Sequence, residues 1–139
     1  MTLTDFLLAR IAEDQASALE VREHGAWWVE AYDDYDGRSP ELVEYFVVAP
    51  PPAPGVPRDD QGDPDDPRHV TSVQGDPALA AALARWSPAR VLAECEAKRR
   101  IVESARRLGS RDGVTPEELL GNLALPYADH PDYDETWRT

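Results

Sequence analysis

Ser87–Glu103 reads SPARVLAECEAKRRIVE, and its spacing organises the rest of the chain. Ser87 is a capping residue, and Pro88 suits the first helical position, where a missing N–H costs nothing. Val91, Leu92, Cys95, Ile101 or Val102, Ala105 and Leu108 then recur at helical period. This predicts an amphipathic helix over about Pro88–Leu108, stopped by Gly109. The same device, a cap followed by proline, recurs at Asp76-Pro77 and Thr115-Pro116. At the last of these, Glu118 completes a capping box. That final helix is short, near Pro116–Leu123, and Leu125-Pro126 breaks it. The tail Leu123–Trp137, LALPYADHPDYDETW, is too irregular for a helix and too aromatic to float, so an ordered irregular terminus is expected.

Working back towards the N-terminus, Phe6, Leu7, Ile11, Ala12 and Leu19 predict a helix over about Thr4–Val21, capped by Thr4 or Thr2 and ended by His24-Gly25. Two alternating segments follow, Ala26–Tyr32 and Glu41–Ala49, joined by the turn-rich DDYDGRSP. A third short strand, His69–Gln74, closes an antiparallel meander. Between the second and third strands, Pro50–Arg68 holds seven prolines and five aspartates with little to bury, the composition of a mobile loop. The fold class is therefore α+β: an N-terminal helix, a short antiparallel β-meander, and C-terminal helices with an ordered irregular tail. At 139 residues the chain is expected to form one domain over residues 1–139.

Alternation assigns the faces of the sheet. Trp27, Val29 and Ala31 align with Val43, Tyr45, Val47 and Ala49 as the core face. Trp28, Glu30, Tyr32, Leu42, Glu44, Phe46 and Val48 point the other way. That mixed face is either a second core under a helix or an aromatic, acidic patch open to a partner. On the open reading, Trp28, Glu30, Tyr32, Glu44 and Phe46 carry the partner contact.

The formal net charge is −13, which disfavours nucleic acid and anionic membranes. Eleven acidic residues stand against two basic ones over Val29–Asp66, and eight basic against three acidic over Ala84–Arg111. The basic stretch does not read as a phosphate-binding array. Glu94–Lys98, Glu96–Arg100 and Glu103–Arg107 are i,i+4 pairs in the favourable order, which describes a solvated face that neutralises itself. Direct nucleic-acid binding is not expected. A single cysteine, Cys95, allows no internal disulfide, as in a reducing cytosol. The opening MTLTDFLLARIAED has neither the basic nor the apolar region of a signal peptide, and no run of about 18 apolar residues spans a membrane. A cytoplasmic location without membrane attachment is expected.

Candidate chemistry is sparse. Asp129, His130 and Asp132 place oxygen and imidazole ligands side by side, but His24 and His69 are isolated and supply no second cluster. Cys95 lies on the apolar stripe of its helix, where a buried structural thiol is expected. No phosphate loop, zinc-protease motif or nucleophile elbow occurs, so neither a catalytic residue nor a cofactor is assigned.

Pro88-Ala89-Arg90-Val91-Leu92, Glu96-Ala97-Lys98-Arg99-Arg100-Ile101 and Ala124-Leu125-Pro126-Tyr127-Ala128-Asp129-His130-Pro131-Asp132-Tyr133, with Trp137 beyond, resemble the signature of a family of small actinobacterial and actinophage proteins. Phe6-Leu7-Leu8-Ala9-Arg10-Ile11 is similar to that family's usual start. The resemblance implies membership and no activity, since none is established for the family. Members often carry His-Asp where this chain has Trp86-Ser87, so no role can pass to that histidine here. The reading reached is a non-enzymatic acidic interaction or regulatory protein, engaging a basic protein partner or a second copy of itself. The alternatives are a DNA-mimic inhibitor of a host enzyme and a metal-dependent enzyme using the Asp129–Asp132 segment.

Overall fold

The computed structural model describes residues 1–21, 25–32, 43–48, 69–107 and 115–138. In chain order the elements are α1 (Leu3–Glu20), β1 (Trp28–Tyr32), β2 (Glu44–Val48), β3 (His69–Gln74), α2 (Pro77–Arg85), α3 (Pro88–Ala105) and α4 (Pro116–Ala124). Two 3-10 turns follow, Leu125–Tyr127 and Glu135–Trp137. The chain is α+β as predicted, and each element begins within three residues of its expected start. The linker at 33–40 and the proline-rich stretch at 50–68 lie outside the described residues, as does Leu108.

Two compact units divide the chain: Met1–Ser17 with Leu92–Thr139, and Ala18–Val91. In the second unit, the three strands form an antiparallel sheet in the order β1-β2-β3. Trp28 pairs with Val48, Glu30 with Phe46, and Tyr32 with Glu44. Helix α2 packs across all three strands. Its buried residues Ala80 and Ala84 are one turn apart, and their small side chains let the helix lie close against Val47. Trp27, Val29, Tyr45, Val70 and Val73 complete that cluster, so the core face expected from alternation is the face that α2 covers.

Val70 and Val73 are three residues apart, a spacing that in a regular strand sends side chains to opposite faces. A register shift opposite Val47/Val48 inserts one residue in β3 and brings both valines into the same cluster. The strand then turns at Gly75, whose φ of 70° suits a residue without a Cβ, and Gly75 N–H donates to the Val43 carbonyl at 2.8 Å. Asp76 caps α2 by accepting from Leu79 N–H at 2.9 Å.

In the first unit, α1 buries Phe6, Leu7 and Ile11, α3 buries Cys95, Val102 and Ala105, and α4 buries Leu120 and Ala124. Val102, not Ile101, takes the inward position on α3. The choice between Thr2 and Thr4 as cap is settled by hydrogen bonds. Thr2 Oγ1 accepts from Asp5 N–H at 3.1 Å, and Asp5 Oδ2 accepts from the Thr2 hydroxyl at 2.7 Å. This reciprocal bonding holds the Asp5 carboxyl below its ordinary range. Thr115 caps α4 through its side chain, accepting from Glu118 N–H at 3.1 Å.

The tail is ordered by aromatic packing. Tyr127, His130, Tyr133 and Trp137 place their ring centroids 6.4, 5.8, 5.9 and 5.0 Å from that of Phe6, three of them edge-on. Phe6→Ala is therefore expected to lose about 3–5 kcal/mol, read from denaturant unfolding of the full chain. Thr2→Ala should cost about 1 kcal/mol through loss of the cap, while Thr4→Ala costs clearly less in the same assay.

Candidate functional site

Strand pairing puts all five sequence-chosen partner residues on one face of the sheet, since Trp28, Glu30 and Tyr32 lie opposite Val48, Phe46 and Glu44. The face is not open along its length. Phe46 is only 4% exposed, Val48 is also buried, and the Phe46 ring meets His69 edge-on at 5.0 Å. Trp28 and Glu44 are half-buried, and the side chains of Glu30 and Tyr32 lie outside the described residues. Phe46 is thus packed inside the protein, and among the described side chains of this face Trp28 and Glu44 keep partial exposure. Alternation identifies which residues share a face, but it carries no information about what lies over that face.

The Asp129–Asp132 segment is built into a turn. The backbone N–H of Asp132 donates to His130 Nδ1 at 3.1 Å, and the His130 ring packs on Phe6. Nδ1, one of the two imidazole nitrogens through which a histidine can ligate a metal, is therefore occupied by the turn itself. Asp129 and Asp132 are exposed. Among the described residues, no group of three His, Cys, Asp or Glu side chains is arranged to hold a metal.

On α3, the Glu96–Arg100 pair forms as spaced, at 2.8 Å and exposed, a contact worth a few tenths of a kcal/mol. Lys98 and Arg99 do something the local spacing did not suggest. Lys98 Nζ donates to the Tyr127 hydroxyl at 2.9 Å and lies 3.7 Å from Asp14. It also sits 5.0 Å above the Tyr127 ring. The Tyr127 hydroxyl in turn donates to Asp14 Oδ2 at 2.6 Å, and Arg99 donates to the Gln15 side-chain oxygen. Two cations of the basic run are thus spent on α1 and the tail. At the end of the helix, Arg106 and Arg107 share an open groove with Glu103, so this site carries both signs of charge.

This network was not found by motif reasoning, because its members are 84 to 113 residues apart apart from the α3–tail link. Chemically it is quiet. Burial, followed by the hydrogen bond to Asp14, pushes the Tyr127 hydroxyl well above its ordinary value of 10.0. Burial, followed by the Asp14 charge, also raises the Cys95 thiol. Both groups stay neutral near pH 7, and neither is activated as a nucleophile or base.

The surface that sequence reasoning missed is on α2. From Pro77 to Ala84 the helix carries no polar side chain. While Ala80 and Ala84 face the sheet, Leu79, Leu83 and Trp86 are 49%, 38% and 55% exposed. Their i, i+4, i+7 spacing makes them one stripe. The Arg90 guanidinium stacks 4.7 Å from the Trp86 ring centre, and Arg85 is exposed beside it. The signal was present in the uniform apolarity of PALAAALA, Pro77–Ala84, which on its own predicts burial all round.

The pH dependence of Tyr127 follows from the sign of its shift. Its folded-state pKa is raised, so above pH 10.0 the unfolded chain loses this proton first. The associated stability is complete below pH 10.0 and falls as pH rises beyond it. Tyr127→Phe should unfold more easily than the parent at pH 8, and that gap should narrow towards pH 11, as measured by urea unfolding across the series.

No curated protein and no solved structure matches this chain. A family of unknown function, DUF6221, matches it over residues 1–139, and the chain belongs to that family.

Proposed function

We propose that this is a non-enzymatic interaction protein, working in the cytoplasm of an actinobacterium or its phage, that uses the outward face of α2 for recognition. The observation that carries the proposal is the exposure of Leu79, Leu83 and Trp86 on a helix with no polar residue between Pro77 and Ala84. A helix that is apolar all round is ordinarily buried on both faces. Here the sheet covers one face. Aromatic and arginine side chains together at the edge of an apolar stripe are also the residue types that dominate interface energetics.

Leu79→Glu separates recognition from folding. Position 79 is the third of the helix, where a glutamate completes a capping box with Asp76. Stability should change by less than about 1 kcal/mol, because Leu79 is half exposed. Protein contacts trapped by a photo-crosslinker at position 82, in host lysate or with the purified chain, should fall at least tenfold. Equal trapping in parent and variant would remove α2 as the recognition surface.

A further inference from the structure

We infer that the occupant of the α2 face is the α2 face of a second copy of this chain, paired antiparallel about a twofold axis beside Ala82. The inference rests on the reading of α2 as the recognition surface and adds the identity and direction of the partner. Three features of the helix make it complementary to itself.

The first is the placement of the large side chains. Leu79 and Trp86 are seven residues apart, with Leu83 between them. Turning a second copy end for end sets Leu79 of each chain against Trp86 of the other and brings the two Leu83 side chains together at the centre. Only an isologous contact lets one short stripe serve as both surfaces.

The second feature is charge. Helix α2 begins at the exposed carboxylate Asp76 and ends at the exposed cation Arg85, with Arg90 held on Trp86 beyond it. In the antiparallel arrangement each Asp76 lies about 4.5 Å, along the axis, from the other copy's Trp86, on which Arg90 is held. A parallel arrangement would set Asp76 against Asp76 and one Trp86–Arg90 stack against the other. Opposed helix dipoles favour the antiparallel direction as well.

The third feature is the absence of bulk. Ala78 and Ala82, one turn apart beside the leucines, are exposed alanines, so two helices can approach towards the lower end of the usual 8–10 Å interaxial range. A helix of nine residues supplies less than the roughly 800 Å² per partner of a standard interface. The dimer is therefore reversible and concentration-dependent rather than obligate.

The test uses the full chain in sedimentation equilibrium over a wide concentration series, with two cysteine variants as direction markers. Cys95 is buried and does not interfere. The parent should show a monomer–dimer equilibrium that Leu83→Glu weakens at least tenfold, because it sets two carboxylates together at the twofold axis. Ala82→Cys should form a disulfide-linked dimer under mild oxidation. Ala78→Cys should not, because its two copies lie about 13 Å apart along the axis, beyond the reach of a disulfide. Linkage of Ala78→Cys as readily as Ala82→Cys would overturn the antiparallel pairing. A parent that stays monomeric at every concentration would overturn self-pairing altogether. In that case, contacts from position 82 to another protein that Leu79→Glu abolishes would leave the recognition role of α2 intact, and their absence would remove that role too.

Discussion

Phe6 is fully buried beneath a ring system supplied by Tyr127, His130, Tyr133 and Trp137, and the order of the chain's last segment depends on that contact. Beyond Ala124, the backbone bonds described are short-range turns, such as His130 N–H to the Tyr127 carbonyl and Tyr133 N–H to the His130 carbonyl. Such turns satisfy polar groups without tying the segment to anything distant. Holding a residue in one conformation costs about 1–2 kcal/mol of backbone entropy, so a tail of this length needs a tertiary reward. Edge-on aromatic contacts, each worth about 0.5–1.5 kcal/mol beyond area burial, supply it through one side chain on α1. The Tyr133–Trp137 contact at 5.6 Å links the tail rings to each other as well as to Phe6.

The elements were legible in the sequence where local chemistry specifies them. Asp76-Pro77 and Thr115-Pro116 open helices because the cap and the proline act on residues within one turn, and the structure places α2 and α4 there. The meander and its core face followed from a period of two. What local pattern could not give was the destination of long side chains. Lys98 has Glu94 one turn before it, yet it reaches Tyr127 and Asp14. An i,i+4 pair is worth only a few tenths of a kcal/mol, so a partly buried phenol and carboxylate together outweigh it easily. Phe46 illustrates the same limit in a strand, since alternation names its face and not what covers it, and the residue inserted in β3 is likewise invisible to a period of two.

The electrical polarity of the sequence is reduced by the fold. Lys98 and Arg99 are partly buried and directed at Asp14, Tyr127 and Gln15, so they no longer belong to an outward basic array. Arg100 is paired with Glu96, and Arg106 and Arg107 keep company with Glu103. Arg85 and Arg90, at the other end of the run, border the apolar stripe of α2. Basic residues that looked like one cluster along the chain therefore serve three purposes in space: tying α3 to α1 and the tail, solvating α3, and flanking an apolar helix face.

Arg10 shows how strongly the Phe6 packing constrains its neighbours. It lies one turn after Phe6 on the buried stripe of α1 and is only 8% exposed. One guanidinium nitrogen donates to Glu13 at 2.7 Å, while Nε and Nη1 have no hydrogen-bond partner. Unpaired buried donors are expensive, and a buried cation more so. The guanidinium stands 5.5 Å from the Phe6 ring centre, and attraction to the ring's electron-rich face offsets part of that cost. The Tyr133 hydroxyl is a second buried group without a partner, and its ring packs on the same phenylalanine. Two polar groups left unsatisfied around one ring mark the place where aromatic packing has outweighed hydrogen bonding. Both belong to residues whose apolar parts are needed there: the stem of Arg10 and the ring of Tyr133 close the shell around Phe6, and their polar ends follow into the interior.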